Sequence, residues 1–216
     1  MNIAKRGTVE ALGTFALVFI GVGSIAMNAS LLGVALAHGL AIAIMATALG
    51  SVSGGHFNPA VSLTFAVMRT LSITELCIYW GFQLVGAACA SLLWTVVSPD
   101  LVSKVSGGLP ALSSVTPFSG FVLEGVMSFF LMLTIVTVGV RQKNALAGLW
   151  IGLTISLDIL LGGPLTGAAM NPARWFGPAL VSLNFENAWL YVLGPCLGML
   201  IAAPVGLWLL PKSKED

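Results

Sequence analysis

Six stretches of this chain are long, apolar and almost free of charge, and no other feature constrains the fold as strongly. A helix needs about 20 mainly apolar residues to cross a hydrocarbon core of about 30 Å. Gly33–Gly50, Leu76–Val97 and Ala188–Leu210 contain no charged residue; Thr8–Met27 holds Glu10, Phe121–Val140 holds Glu124, and Ala145–Leu161 holds Asp158. In lipid the backbone must satisfy its own polar groups, so each stretch is read as a transmembrane helix. The composition agrees: 57% of the 216 residues are hydrophobic and 8% are charged, against about 25% charged in soluble domains. A net charge of +1 without a basic patch argues against a nucleic-acid partner. Lys5 and Arg6 precede the first stretch as in a signal peptide, but the stretch is long and no polar domain follows, so it is read as a retained span. Cys77, Cys89 and Cys196 fall inside the spans and give no disulfide framework. With six crossings, Lys5, Arg6, Arg69, Arg141, Lys143, Lys212 and Lys214 lie on one side and only Lys104 in a loop on the other. That asymmetry places both termini in the cytoplasm; the membrane is expected to be the cell (plasma) membrane.

The second half of the chain repeats the first. Glu10-x3-Thr14-Phe15 recurs as Glu124-x3-Ser128-Phe129 at an offset of 114, Gly54-x3-Asn58-Pro59-Ala60 as Gly167-x3-Asn171-Pro172-Ala173 at 113, and Tyr79-x6-Gly86 as Tyr191-x6-Gly198 at 112. The expected organisation is one transmembrane domain over residues 1–216, made of half-repeats 1–107 and 108–216. Three spans per half force the second copy to enter the membrane from the opposite side. Inverted repeats of this kind place their site near the midplane, often on discontinuous helices. Val52–Thr70 and Leu165–Leu183 fit that role, being apolar but too short and too rich in Gly and Pro to cross. Each reads as an extended stretch, an Asn N-cap, a Pro at the first helical position and about three turns of helix. At about 1.5 Å per residue such a helix spans half the hydrocarbon core, so two re-entrant half-helices meet in the middle.

A single Asn-Pro pair is an ordinary turn or helix start. Two copies at the repeat offset, each closing a Gly-rich re-entrant segment, are read instead as a functional pair. Inversion makes the two helix N-termini face each other, so Asn58 and Asn171 present amide donors to one point. Each N-terminus carries about half a positive charge; together they repel cations, while a water oxygen accepts from the amides. The carbonyls of Gly54, Gly55, His56 and Phe57, and of Gly167, Ala168, Ala169 and Met170, are expected to form an acceptor ladder, because irregular backbone at this depth must line a wet cavity or be buried in protein. Arg174 is a basic residue at membrane depth, where a charge is functional by default. It reads as a narrow gate, donating to solute and repelling cations; the bland alternative is a buried arginine paired with an acid. His38 is either a hydrogen-bonded core residue or a pore residue. Trp175 and Phe176 line the pore exit or pack, with packing preferred for bulky apolar side chains. Pro195 and Pro204 are expected to kink the last span. No nucleophile stands with a base and no metal-ligand cluster is present, so neither an enzyme nor a cofactor is expected.

Over nearly its whole length the sequence resembles the major intrinsic proteins, the aquaporin and glyceroporin family. Ser53-Gly54-Gly55-His56-Phe57-Asn58-Pro59-Ala60-Val61 and Met170-Asn171-Pro172-Ala173-Arg174 carry the match. The resemblance implies an all-α membrane protein, an aquaporin-like bundle of six transmembrane helices plus two re-entrant half-helices. It implies a homotetramer in membrane lipid with one pore per monomer, and glutamates Glu10 and Glu124 that brace the re-entrant loops. Convergent half-helix dipoles with an arginine are the device by which aquaporin-type pores exclude ions. The family's selectivity filter is a ring of four, which falls by similarity on His38, Ile159, Ala168 and Arg174. Strict water channels usually have Phe, His and Thr or Cys at the first three places. Glycerol channels usually have Trp on the second span and Asp after the arginine, where this chain has His38 and Trp175. The ring is closer to tonoplast intrinsic proteins and ammonia-permeable aquaporins. The expectation is a passive channel for water, ammonia and hydrogen peroxide; a glycerol or other polyol facilitator is the alternative. A secondary transporter would need a titratable group on its path, and a non-conducting junction protein has no need of intact Asn58, Asn171 and Arg174. Asp158 adjoins Ile159 on its helix, so it points about 100° from the ring and is expected to anchor a loop or a neighbouring helix.

Overall fold

The structure, a computed structural model, describes residues 2–210; Lys212 and Lys214 lie outside them. Along the described residues run α1 (Ile3–Ala26), α2 (Leu31–Ser53), α3 (Pro59–Val67), α4 (Ile73–Val97), α5 (Pro99–Lys104), α6 (Pro117–Thr134), α7 (Ala147–Thr166), α8 (Pro172–Ser182) and α9 (Ala188–Leu209). A π-helical segment, Ile135–Arg141, extends α6. Helices α1, α2, α4, α6 with its extension, α7 and α9 are long and apolar enough to cross a membrane. The two half-helices α3 and α8 have 9 and 11 residues.

Helix ends depart from the hydropathy reading where local capping decides them. The first span starts at Ile3 rather than Thr8, because the Asn2 side chain caps it by accepting from the Ala4 N–H at 2.9 Å. Helices α2 and α7 run on into the Gly-rich stretches and stop where Gly54 and Gly167 turn left-handed, at φ of 98° and 81°. Only residues 54–57 and 167–170 are then left irregular between span and half-helix. Asn58 and Asn171 cap α3 and α8, each with a proline at the start of the helix: Asn58 Oδ1 accepts from Ala60 N at 2.9 Å, and Asn171 Oδ1 from Ala173 N at 3.0 Å. Helix α9 continues through Pro195 and Pro204 as one element. The connection from α4 to α6, expected as plain loop, contains α5 and a 3-10 turn at Ser106–Gly108.

The bundle is built from three helix pairs, α1 with α4, α6 with α9 and α2 with α7. Lipid tails are as apolar as leucine, so helices associate in a membrane by close backbone approach at small residues. A Cβ at Gly39 would lie 2.3 Å from the Gly152 carbonyl oxygen, and one at Gly152 would lie 2.2 Å from that of Gly39. At the α6–α9 crossing a Cβ on Gly198 would lie 2.0 Å from the Gly125 carbonyl oxygen, and at the α1–α4 crossing one on Gly86 would lie 2.2 Å from that of Ala11. Backbone cannot swing aside as a side-chain tip can. Gly198→Ala is therefore expected to push α6 and α9 apart at a cost of about 1–3 kcal/mol. Thermal unfolding in detergent checks this against Gly81→Ala, an exposed helical site where a Cβ meets nothing within 4 Å. Equal unfolding temperatures for the two variants would refute the crossing argument.

Candidate functional site

Two buried carboxylates organise the irregular loops. Glu10 on α1 and Glu124 on α6 are both 0% exposed, and a buried charge persists only when hydrogen-bonded. Glu10 accepts from Ser53 Oγ at 2.6 Å, His56 N at 3.0 Å, Phe57 N at 2.6 Å and Gln83 Nε2 at 2.8 Å. Glu124 accepts from Thr166 Oγ1 at 2.7 Å, Ala169 N at 2.9 Å and Met170 N at 2.7 Å. Tyr79 and Tyr191 close the two arrangements from behind, donating to the carbonyls of Ser53 at 2.5 Å and Thr166 at 2.7 Å. The N–H groups of His56, Phe57, Ala169 and Met170 are thus taken by carboxylates, those of Gly55 and Ala168 by Ser53 Oγ and Thr166 Oγ1 at 3.1 Å, and those of Gly54 and Gly167 by backbone carbonyls, which leaves carbonyls as the loops' free polar groups. Phe57, Ala168 and Met170 hold φ of 49°, 44° and 51°, conformations that cost a non-glycine residue energy and that the carboxylate bonds maintain.

The two asparagines face each other but do not give both amide hydrogens to the passage. Asn58 Nδ2 donates to the Met170 carbonyl at 2.9 Å, and Asn171 Nδ2 to the Phe57 carbonyl at 2.8 Å. Each amide carries two hydrogens, so one fastens the opposite loop and one is left for the passage. The carbonyls of Phe57 and Met170, placed in the ladder on sequence grounds, are engaged in this cross-link. Those of Gly54, Gly55, His56, Gly167, Ala168 and Ala169 make up the rest of the predicted ladder.

Two cavities run through the bundle. The larger, about 360 Å³, is lined by Asn58, Asn171, Ala168 and Ala169, by the loop residues 54–57, and by apolar side chains of α2, α6 and α7 such as Ile42, Leu131 and Ile155. The smaller, about 280 Å³, is lined by Val34, Gly163, Gly167 and the Gly108–Ala111 segment. His38, Ile159 and Arg174 line both, and so stand where the two meet. Ala168 lines the larger one alone. Arg174, 4% exposed, is oriented by a backbone carbonyl rather than by an acid: Nη1 donates to Gly108 O at 2.9 Å. His38 Nδ1 lies 2.9 Å from the Val34 carbonyl, which can only accept, so Nδ1 carries the proton. Its Nε2 is buried against α1, where a Cβ on Gly21 would lie 2.2 Å away. The ring therefore narrows the passage with its bulk and turns its polar tip away.

Other singled-out residues lie elsewhere. Asp158 is 7% exposed, lines neither cavity, and its Oδ2 finds no hydrogen-bond partner among the described residues. Trp175 packs, stacked on Tyr191 at 5.9 Å and edge-on to Phe185 at 6.1 Å, and Phe176 belongs to the same apolar cluster. Sequence reasoning missed Ser53, Thr166, Gln83 and Gly108. Ser53 and Thr166 share the repeat offset of 113 and were discoverable; Gln83 and Gly108 have no such signal.

The sequence profile of the major intrinsic protein family matches residues 1–205. The chain is 37% identical over 207 residues to Nodulin-26 of Glycine max, covering 92% of this chain and 75% of that protein. It is 40% identical over 207 residues to Aquaporin NIP1-1 of Zea mays, covering 92% and 71%. In structure it is similar to the aquaglyceroporin from Plasmodium falciparum, with a TM-score of 0.86 at 23% identity over 94% of this chain and 95% of that one. That likeness shows the fold. A closeness to tonoplast intrinsic proteins rests on the four ring residues and the short segments Val34–Gly39 and Asp158–Leu160.

Proposed function

The chain belongs to the major intrinsic protein family, and is an integral membrane protein; from that premise we propose that it is a passive channel for water that also passes ammonia and hydrogen peroxide and excludes protons and ions. The observation that carries the reading is the meeting of two cavities at His38, Ile159 and Arg174. There a lone guanidinium faces a ring that is otherwise apolar on its exposed surface. Asn58 and Asn171, with Pro59, Ala60, Pro172 and Ala173 starting their half-helices, form the central barrier: two helix N-termini add their positive ends where a cation would have shed its water. Glu10 and Glu124 hold the loops, and the free carbonyls carry solute past them. The chain works as one domain of two inverted halves, as a homotetramer with a pore in each subunit, in the cell membrane with both termini cytoplasmic. It performs no catalysis.

Osmotic shrinkage of proteoliposomes followed by stopped-flow light scattering is expected to be faster than in empty vesicles, with a low activation energy; shrinkage no faster than in the controls sinks the channel reading. An ammonia gradient should alkalinise the vesicle interior. Ile159→His together with Ala168→Cys restores polar walls to the ring and should cut ammonia flux by about tenfold or more, the scale on which a small steric or polar change in a pocket discriminates, while water flux persists. Cysteine is preferred to threonine at 168, since the left-handed backbone there, φ 44°, strains a β-branched residue. Ammonia flux unchanged in the double variant removes Ile159 and Ala168 from the filter.

A further inference from the structure

Among the described residues, one chain of contacts on the side of the termini has no counterpart in the other half. Arg6 in the first turns of α1 pairs through Nη1 with Glu75 Oε1 at the start of α4. Its Nε donates to Tyr79 Oη at 2.8 Å, and its guanidinium lies 5.2 Å from the Tyr79 ring centroid. Glu75 is itself fixed by a capping box, its other oxygen accepting from Ser72 N at 2.9 Å and Ser72 Oγ at 2.8 Å. Tyr79 holds the Ser53 carbonyl and stands edge-on to the His56 ring at 5.2 Å. His56 lines the larger cavity, stacked on Phe65 at 4.6 Å with Nδ1 3.0 Å from Ser62 Oγ.

Tyr191 makes the same bond to the Thr166 carbonyl without any charged helper. At the repeat offsets Arg6 and Glu75 correspond to Gly120 and Asn187, and His56 to Ala169. A tyrosine alone thus suffices to hold a loop. The charged addition coincides with the one loop that places an aromatic side chain in the passage. Surface ion pairs contribute at most about 1 kcal/mol to stability, and Arg6 and Glu75 are 23% and 27% exposed, so stability is a poor reason for this pair.

We propose that the Arg6–Glu75 pair is a positioning clamp that fixes the His56 wall of the passage through Tyr79, and so sets the rate of solute passage on the terminal side. Arg6 and Glu75 touch no solute and act through Tyr79. The proposal rests on the channel reading above.

The test measures water permeability per channel and its activation energy in proteoliposomes of the full chain. Arg6→Gln and Glu75→Gln, the latter keeping a side chain able to complete the capping box, should each lower permeability about fivefold and raise the activation energy, a coupling within the range for residues in contact. Arg6→Lys, which keeps charge and donor, should recover most of the loss. In a His56→Ala background, Arg6→Gln should have no further effect. Wild-type behaviour of both Gln variants overturns the clamp. So does a fall in rate at unchanged activation energy, which signals fewer channels, or a full effect without His56. Wild-type protein that conducts no water overturns the channel reading, and this one with it.

Discussion

Glu124→Leu should abolish water conduction and lower the unfolding free energy by about 3–9 kcal/mol, because two backbone N–H groups and a hydroxyl lose a charged acceptor in a place water does not reach, at about 1–3 kcal/mol each. Thr166 Oγ1, Ala169 N and Met170 N all converge on this carboxylate. Without it Met170 N and Ala169 N lose their acceptor and Thr166 Oγ1, which holds Ala168 N, loses its anchor, so the backbone relaxes away from Asn171. The loss reaches the other loop as well, since the Met170 carbonyl is the acceptor for Asn58. Thr166→Val removes one of the three donors and also the acceptor of the buried Ala168 N–H, and should cost about 2–4 kcal/mol. Chemical denaturation in detergent with stopped-flow shrinkage of the same preparations measures both effects. A Glu124→Leu protein that unfolds like wild type would show that the loop keeps its shape without the carboxylate.

Arg174→Val should leave water passage intact while opening the channel to cations. The guanidinium is the fixed charge at the junction of the two cavities, and the side chains it shares that junction with are the His38 ring and Ile159. At about 5 Å and an effective dielectric of about 20, one positive charge repels a monovalent cation by about 3 kcal/mol, or about a hundredfold in flux. Cation conductance in planar bilayers, alongside water permeability in vesicles, reads this out. The variant also loses the bond to the Gly108 carbonyl, so a loosened Ser106–Gly108 turn should accompany it. If the variant stays as tight to cations as wild type, the barrier belongs to the half-helix ends at Asn58 and Asn171, and Arg174 serves only to orient solute.

Much of the architecture was legible before any coordinates. Apolar runs, the repeat and the Asn-Pro starts of α3 and α8 are local or periodic signals, and hydropathy and capping are energies that a short segment decides for itself. Helices α2 and α7 run past Gly50 and Leu161, where the apolar stretches end, and α7 carries Gly162-Gly163-Pro164 as helix. In the site, Asn58 and Asn171 stood out as Asn-Pro helix starts repeated at an offset of 113, and Arg174 as a charge where lipid penalises it. His38 was placed by family similarity, and the direction of its ring depends on Gly21, a residue with no mark in the sequence.

What the sequence determined by itself was therefore a membrane bundle of inverted halves with two half-helices starting at asparagine, because each of these follows from composition, periodicity or a cap within a few residues. Family resemblance named Glu10 and Glu124 as braces, but the tertiary structure alone decided which atoms meet. It sent the N–H groups of His56, Phe57, Ala169 and Met170 to the two carboxylates, one hydrogen of each asparagine amide to the opposite loop, the Arg174 guanidinium to a carbonyl 66 residues away, and the His38 tip toward α1. A donor buried away from the passage must find an acceptor in the protein, and those partners lie on other helices, at separations that no local pattern encodes.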